Sequence, residues 1–275
     1  MRNLPSTNAR YWATIVSACC IGETLGDFIS RGLKLGYGIG SIGLFVLFAL
    51  VLLVETKARV KNEARYWTAV VITSTTGTTM ADFTSRTLKL GYAAASAVFI
   101  VVLAGLFYTA HRTAPPPSAK PSLLPEIDID PPRDGAKDGV LPRVDIAAPP
   151  RSTLLADAVY WILILVVSTF GTTMGDFVSD GLGFGPGKGS LMLGGLLAVV
   201  LVIELLAKTP NQIRYWIAIV ITSTVGATFG DFLTKEDGLE LGYGVGTAVL
   251  FGAFFLVLIV GRLLDKRGAP AKAAQ

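Results

Sequence analysis

Every tryptophan in this chain opens the same phrase. Trp12, Trp67, Trp161 and Trp216 each follow a tyrosine (Tyr11, Tyr66, Tyr160, Tyr215). Ten residues later stands a glycine (Gly22, Gly77, Gly171, Gly226), and twelve later a threonine (Thr24, Thr79, Thr173, Thr228). Fifteen later stands an aspartate followed by phenylalanine (Asp27, Asp82, Asp176, Asp231). An internal repeat outranks every other reading of fold, because each copy is one unit that buries its faces against its neighbours. Copies 2 and 4 share Val-Ile-Thr-Ser-Thr (71–75 and 220–224), and copies 1 and 3 share a glutamate forty-three residues after Trp (Glu55 and Glu204). That alternation describes a two-repeat unit that duplicated.

Each copy holds two apolar runs of about twenty residues, long enough to cross a hydrocarbon core of about 30 Å. Composition agrees: 52% of the 275 residues are hydrophobic, only 16% are charged, and mean hydropathy is +0.58. A soluble domain carries roughly 25% charged residues. The first span runs from Tyr-Trp to just past Asp-Phe; the second covers about 35–54, 90–109, 187–206 and 241–260. The expected fold is all-α, with eight transmembrane helices. An even number of spans per copy inserts all four copies the same way round, as parallel repeats about an axis along the membrane normal. Two pseudo-equivalent halves are expected, 1–111 (repeats 10–57 and 65–111) and 154–265 (repeats 159–207 and 214–265). Between them, residues 112–153 hold ten prolines and mixed charges, the composition of a flexible linker; a tail follows at 266–275.

Of the 24 Lys and Arg residues, six (Arg31, Lys34, Arg86, Lys89, Lys188, Lys235) stand in the turns inside the repeats and the rest in termini, linker and inter-repeat segments. The positive-inside rule then places both termini and the linker in the cytoplasm. The net charge of +4 accordingly speaks of membrane orientation, and no nucleic-acid partner is implied. Met1–Arg10 is polar and the first apolar run fills a span, so no cleavable signal is expected. On this topology Trp12, Trp67, Trp161 and Trp216 form an aromatic belt at the inner interface.

On a helical wheel, positions 7, 10, 14 and 18 after Trp share a face. It carries Cys19, Gly22, Gly26 and Ser30 in copy 1, Ser74, Gly77, Ala81 and Ser85 in copy 2, Ser168, Gly171, Gly175 and Ser179 in copy 3, and Ser223, Gly226, Gly230 and Thr234 in copy 4. In lipid, small residues at such spacing let helix backbones touch, and Cys19 and Cys20 read as packing residues within this pattern. A second stripe, at positions 8, 12 and 15, leads hydroxyls to the aspartate, about 22 Å along the helix from Trp. Copy 1 alone adds an acid beside it, Glu23, where the others have Thr78, Thr172 and Ala227.

A carboxyl at membrane depth costs a few kcal/mol, so four of them require an account. One is structural: each Asp caps the next helix or pairs with a turn base such as Arg31 or Arg86. The other is functional: the four carboxyls converge on the axis and, with the threonines, hold a cation or proton, since clustered carboxylates cannot all ionise without a counter-ion. Four equivalent carboxyls do not fit an aspartyl protease, whose pair is inequivalent, and no enzymatic activity or cofactor is expected. Gly36-Tyr37-Gly38 and Gly242-Tyr243-Gly244 read as a tight turn with close packing and not as a selectivity filter, for no re-entrant helix precedes them. His111 is the lone histidine and builds no metal site by itself.

Four tandem units with two spans and one Trp each, marked by Tyr-Trp, Gly-x-Thr and (Gly/Ala)-Asp-Phe, resemble a bacterial membrane protein family of tandem repeats of unknown function. The resemblance covers the chain apart from linker and tails, and implies a bacterial inner membrane and eight spans; it transfers no substrate. The functional expectation is a transporter or channel for a small cation, proton-coupled in one version, using Asp27, Asp82, Asp176 and Asp231 with Thr24, Thr79, Thr173 and Thr228 as neutral ligands and Glu23 as an extra acid. Its partners are the bilayer, the cation or proton, and a second copy if the chain oligomerises. The rival is a membrane scaffold or sensor in which the aspartates lock the repeats.

Overall fold

The computed structural model describes residues 8–57, 63–113, 151–207 and 211–268. Of the Pro-rich linker, residues 114–150 lie outside the described residues, as do residues 269–275 of the tail. Eight α-helices follow in order: α1 (Ala9–Asp27), α2 (Gly36–Lys57), α3 (Glu63–Asp82), α4 (Gly91–Thr113), α5 (Arg151–Asp176), α6 (Gly185–Leu206), α7 (Gln212–Thr234) and α8 (Tyr243–Gly268). Among the described residues there is no strand.

The odd-numbered helices form the interior. α1 packs on α3, α3 on α5, α5 on α7, and α7 back on α1, which closes a ring about one axis. The even-numbered helices lie outside, each mainly against the first helix of the following repeat: α2 on α3, α4 on α5, α6 on α7 and α8 on α1. The two halves therefore share one ring, and a repeat is completed by its neighbour. Outer helices turn Ile39, Ile42, Leu50, Val101, Leu191 and Leu256 outward, the apolar wall that lipid requires.

The ring is tight because the glycine stripe packs as its spacing predicts. Gly22 meets Ser74, Gly77 meets Ser168, Gly171 meets Ser223, and Gly226 meets Cys19. A Cβ on any of the four glycines would fall within 2.5 Å of that partner. One turn on, Gly26 meets Thr78, Gly175 meets Ala227, and Gly230 meets Glu23. Ala81 occupies the equivalent place in α3 and is fully buried.

Seven helices are long and apolar enough to cross a membrane; α3 is the exception among the eight. Its interior is rich in threonine, which lowers its hydropathy. Enclosure between α1, α2 and α5 makes this tolerable. Thr73, Thr75 and Thr76 also return their hydroxyl protons to carbonyls four residues back, at 2.7–2.8 Å.

The repeat's turn is built on left-handed backbone. Gly36, Gly91, Gly185 and Gly242 have φ between 71° and 73° and open or immediately precede the outer helices, so the Gly-Tyr-Gly glycine is a turn residue. The glutamate that distinguishes copies 1 and 3 pins the start of the next inner helix: Glu55 pairs with Arg65 at 2.6 Å and Glu204 with Arg214 at 3.0 Å.

Gly77→Ala or Gly171→Ala should destabilise the detergent-solubilised protein by about 1–3 kcal/mol, read as a fall in thermal midpoint. Gly43→Ala and Gly194→Ala, where an added Cβ meets nothing within 4 Å, should leave the midpoint unchanged.

Candidate functional site

At the Trp end, the four repeat tyrosines converge. The Tyr11 and Tyr215 hydroxyls are 2.8 Å apart, Tyr66 and Tyr160 3.1 Å, and Tyr160 and Tyr215 3.4 Å. Each ring also lies against the next repeat's indole: Tyr11 on Trp67, Tyr66 on Trp161, Tyr160 on Trp216 and Tyr215 on Trp12, at centroid distances of 5.8–6.1 Å. The expected belt is corrected here. Trp12, Trp67, Trp161 and Trp216 are 2–7% exposed and pack within the protein, each against a neighbouring repeat's tyrosine and, for Trp67 and Trp216, against Phe254 of α8 and Phe107 of α4. Together they close the axis at this end.

Farther along the ring, position 11 after Trp points to the axis. Glu23, buried to 3%, accepts hydroxyl protons at Oε2 from Thr172 at 2.9 Å and Thr78 at 3.1 Å. Thr78 and Thr172 are themselves 3.3 Å apart. Ala227 is the fourth member, small enough to leave room for the longer acid. One turn above, about 6 Å along the helix, stand the aspartates, each 1–2% exposed.

Three of these aspartates lie four residues before a base. Asp27 Oδ1 is 3.2 Å from Arg31 Nε, Asp82 Oδ1 is 2.6 Å from Arg86 Nε, and Asp231 Oδ2 is 2.5 Å from Lys235 Nζ. The bases also reach to the next repeat, Arg31 to Asp82 at 3.8 Å and Arg86 to Asp176 at 3.6 Å. Copy 3 breaks the series, since Asp180 stands where the others have a base. In copies 1 to 3 a π-helical turn follows the aspartate directly (Phe28–Gly32, Phe83–Thr87, Phe177–Gly181) and carries this residue. Such turns recur at functional sites. Tyrosines of the Gly-Tyr motif hold the guanidinium above: Arg31 donates to Tyr37 at 2.7 Å and Tyr243 at 3.2 Å, and Arg86 lies 5.3 Å from the centroid of Tyr92.

The pairing is uneven. Asp82 has two bases within 4.0 Å, whereas Glu23 has none among the described residues. Both oxygens of Asp27 and Oδ1 of Asp231 are buried without a hydrogen bond, the Arg31 contact being too poorly aligned to make one. Carboxylate oxygens of Glu23, Asp27 and Asp231 lie within 4.8 Å of one another. The seam between α1 and α7 thus gathers three acids. Lys235, one residue beyond the span, feels all of them: burial works against its charge, but Asp231, Asp176, Asp27 and Glu23 outweigh that and hold its pKa above the ordinary lysine value.

The four carboxyls singled out by spacing are therefore arranged in two ways. Asp82 and Asp176 are tied by Arg86, while Asp27 and Asp231 converge with Glu23. Thr24, Thr79, Thr173 and Thr228 lie beside the ring, each donating its proton to the carbonyl three residues back. The hydroxyls that reach Glu23 are those of Thr78 and Thr172, and the signal for them was the position of Glu23. Lys235 was visible only as a turn base. Cys19 and Cys20 are free buried thiols.

Removing Arg86 strips Asp176 of its one ion-pair partner among the described residues. Arg86→Ala should cost about 3 kcal/mol, near the low end for a broken buried pair because the Arg86 side chain is 30% exposed. Adding Asp176→Asn should recover a large part of it, measured by thermal unfolding in detergent.

No curated protein and no solved structure matches this chain. Four consecutive matches, at residues 10–60, 65–115, 159–209 and 214–266, fall instead to the family described as Repeat of Unknown Function (DUF347). They cover most of the chain and coincide with the repeats read above. The protein is a four-repeat member of that family.

Proposed function

We propose that the protein is a membrane carrier for a small cation, with its site on the ring axis between α1 and α7. The observation that carries this reading is the three-acid cluster of Glu23, Asp27 and Asp231, buried on the axis with three carboxylate oxygens unbonded. A purely structural role explains Asp82 and Asp176, whose charges are met by Arg86 and Arg31. It does not explain Glu23, a single acid placed where no fold symmetry calls for one and no base stands within 4.0 Å among the described residues. Burying an unpaired carboxylate is costly, and a mobile cation is the partner that offsets it.

The tyrosine ring closes the axis on one side, and the ion-paired aspartates crowd the other. Both ends being narrow suits a carrier that occludes its cargo better than an open pore. Asp27 and Asp231 would bind, Glu23 would add the asymmetric third carboxylate, and Thr78 and Thr172 would orient it. The bases in the turns lie on the far side of a bacterial inner membrane in this reading, with both termini and the linker cytoplasmic.

The i,i+4 pairs of Asp27, Asp82 and Asp231 favour a second reading, in which all the aspartates lock the repeats and the protein is a scaffold. Flux separates the two. In proteoliposomes containing a cation-sensitive dye, Glu23→Gln and Asp27→Asn should lower cation flux at least tenfold with the thermal midpoint held within a few degrees. Thr79→Val should keep flux within about twofold. Absence of flux for protons, monovalent and divalent cations, together with large stability losses in both acid variants, would establish the scaffold. For orientation, a cysteine replacing Ser118 in the linker should react with an impermeant maleimide only after inner-membrane vesicles or cells expose the cytoplasmic face.

A further inference from the structure

The carrier reading leaves the charge of the cargo open, and the count of buried charges bears on it. Among the described residues, five carboxyls with 1–3% exposure (Glu23, Asp27, Asp82, Asp176, Asp231) share three basic side chains, Arg31, Arg86 and Lys235, which lie within 4.0 Å of the four aspartates but not of Glu23. Asp180 is half exposed, so water serves it. With all five carboxyls ionised, this layer is two positive charges short.

The shortfall is not spread evenly. Arg31 and Arg86 stand over Asp27, Asp82 and Asp176. In the cluster of Glu23, Asp27 and Asp231, by contrast, Arg31 reaches only Asp27, Lys235 pairs with Asp231, and no base among the described residues stands within 4.0 Å of Glu23. There the unbonded oxygens also lie: both on Asp27, Oδ1 on Asp231. Each of the three side chains is more than nine-tenths buried.

The spacing fits one ion. Oxygens sharing a cation at about 2.0–2.6 Å can stand up to about 5 Å apart, and one carboxylate oxygen from each of the three residues lies within 4.8 Å of the others. The donors are all oxygen. Cys19 is spent against Gly226 on the helix seam. Such a set selects hard cations over zinc or copper.

We infer that Glu23, Asp27 and Asp231 form a binding site for a single hard divalent cation, and that Lys235 is the tethered counter-ion it displaces from Asp231. Two observations converge on it, the geometry of the three carboxylates and the unbonded, buried oxygens between them. The inference deepens the carrier reading and rests on it for its physiological meaning, though the site is testable without flux. Lys235 makes binding and release a near-balanced exchange. Its Nζ sits 2.5 Å from Asp231 Oδ2, so an entering ion takes over a partner already engaged, and the lysine reclaims it when the ion leaves. The hydroxyls of Thr78 and Thr172 fix the Glu23 carboxyl from the opposite side of the axis.

The test uses the purified full-length chain in detergent, titrated with MnCl2 and followed by the loss of the free Mn2+ electron paramagnetic resonance signal. One Mn2+ per chain should bind, displaced by Mg2+ or Ca2+ and not by Na+ or K+. Glu23→Gln and Asp231→Asn should each weaken binding at least tenfold, and Lys235→Gln should tighten it several-fold. Because Lys235→Gln removes no acid, it reports on the site even where an acid variant fails to fold. No stoichiometric Mn2+ binding, or binding indifferent to Glu23→Gln and to Lys235→Gln, overturns the inference. Parallel flux assays keep the two ideas apart. Proton or monovalent flux without Mn2+ binding overturns the divalent site and leaves the carrier standing. Mn2+ binding that depends on these residues, with no flux of any cation, supports the site and overturns the carrier.

Discussion

Four glycine-to-serine (or cysteine) contacts hold the inner helices at a distance where no other side chain fits, and the rest of the protein follows from that closeness. In hydrocarbon the helices gain nothing by hiding apolar surface from one another, so they associate through backbone proximity and through the polar groups they enclose. Gly22, Gly77, Gly171 and Gly226 supply the proximity at one level of the ring. One level up, the same closeness leaves an axis just wide enough for Thr78, Thr172, Ala227 and one long acid, Glu23. Copy 1 has room for its longer acid because the adjacent copy 4 carries alanine there.

The charged layer obeys a different rule. A carboxyl buried at this depth is retained only where something positive meets it. The i,i+4 spacing supplies one base per repeat in copies 1, 2 and 4, and cross-repeat reach extends Arg31 and Arg86 to the next aspartate. Copy 3, with Asp180, interrupts the circuit. The result is a ring that is fourfold in its backbone and lopsided in its charge, neutralised around Asp82 and short of cations beside α1 and α7. Symmetry builds the frame, and departures from it mark where chemistry is concentrated.

Much of this was legible from the chain alone. The repeats, most helix bounds, the packing role of the small stripe and the turn role of Gly36 and Gly242 all follow from spacing and local conformational preference, although α5 begins at Arg151, before Tyr160, and α8 runs on to Gly268, past residue 260. What a helical wheel cannot supply is absolute rotation: it places Thr24 and Thr78 on different faces without saying which faces the axis. The threonines of the stripe that ends at Asp bond back to their own helices, and the hydroxyls that reach Glu23 stand one residue earlier, at position 11. The tryptophans misled for a related reason. An aromatic at a span's end reads as an interfacial anchor unless the neighbouring helix is known, and here that neighbour belongs to the next repeat. The swap of outer helices onto the following copy is likewise a property of the closed ring, invisible within any single unit. Glu23 needed no rotation to be noticed, because it differed from its three equivalents.

The central claim is that the buried acids of the α1–α7 seam hold a cation. Anomalous diffraction from crystals of the full chain grown with Mn2+ tests it most directly. The account predicts one strong anomalous peak bridging Glu23, Asp27 and Asp231, with Lys235 turned away from Asp231. A map with no peak at that seam and Lys235 still bonded to Asp231 would contradict it.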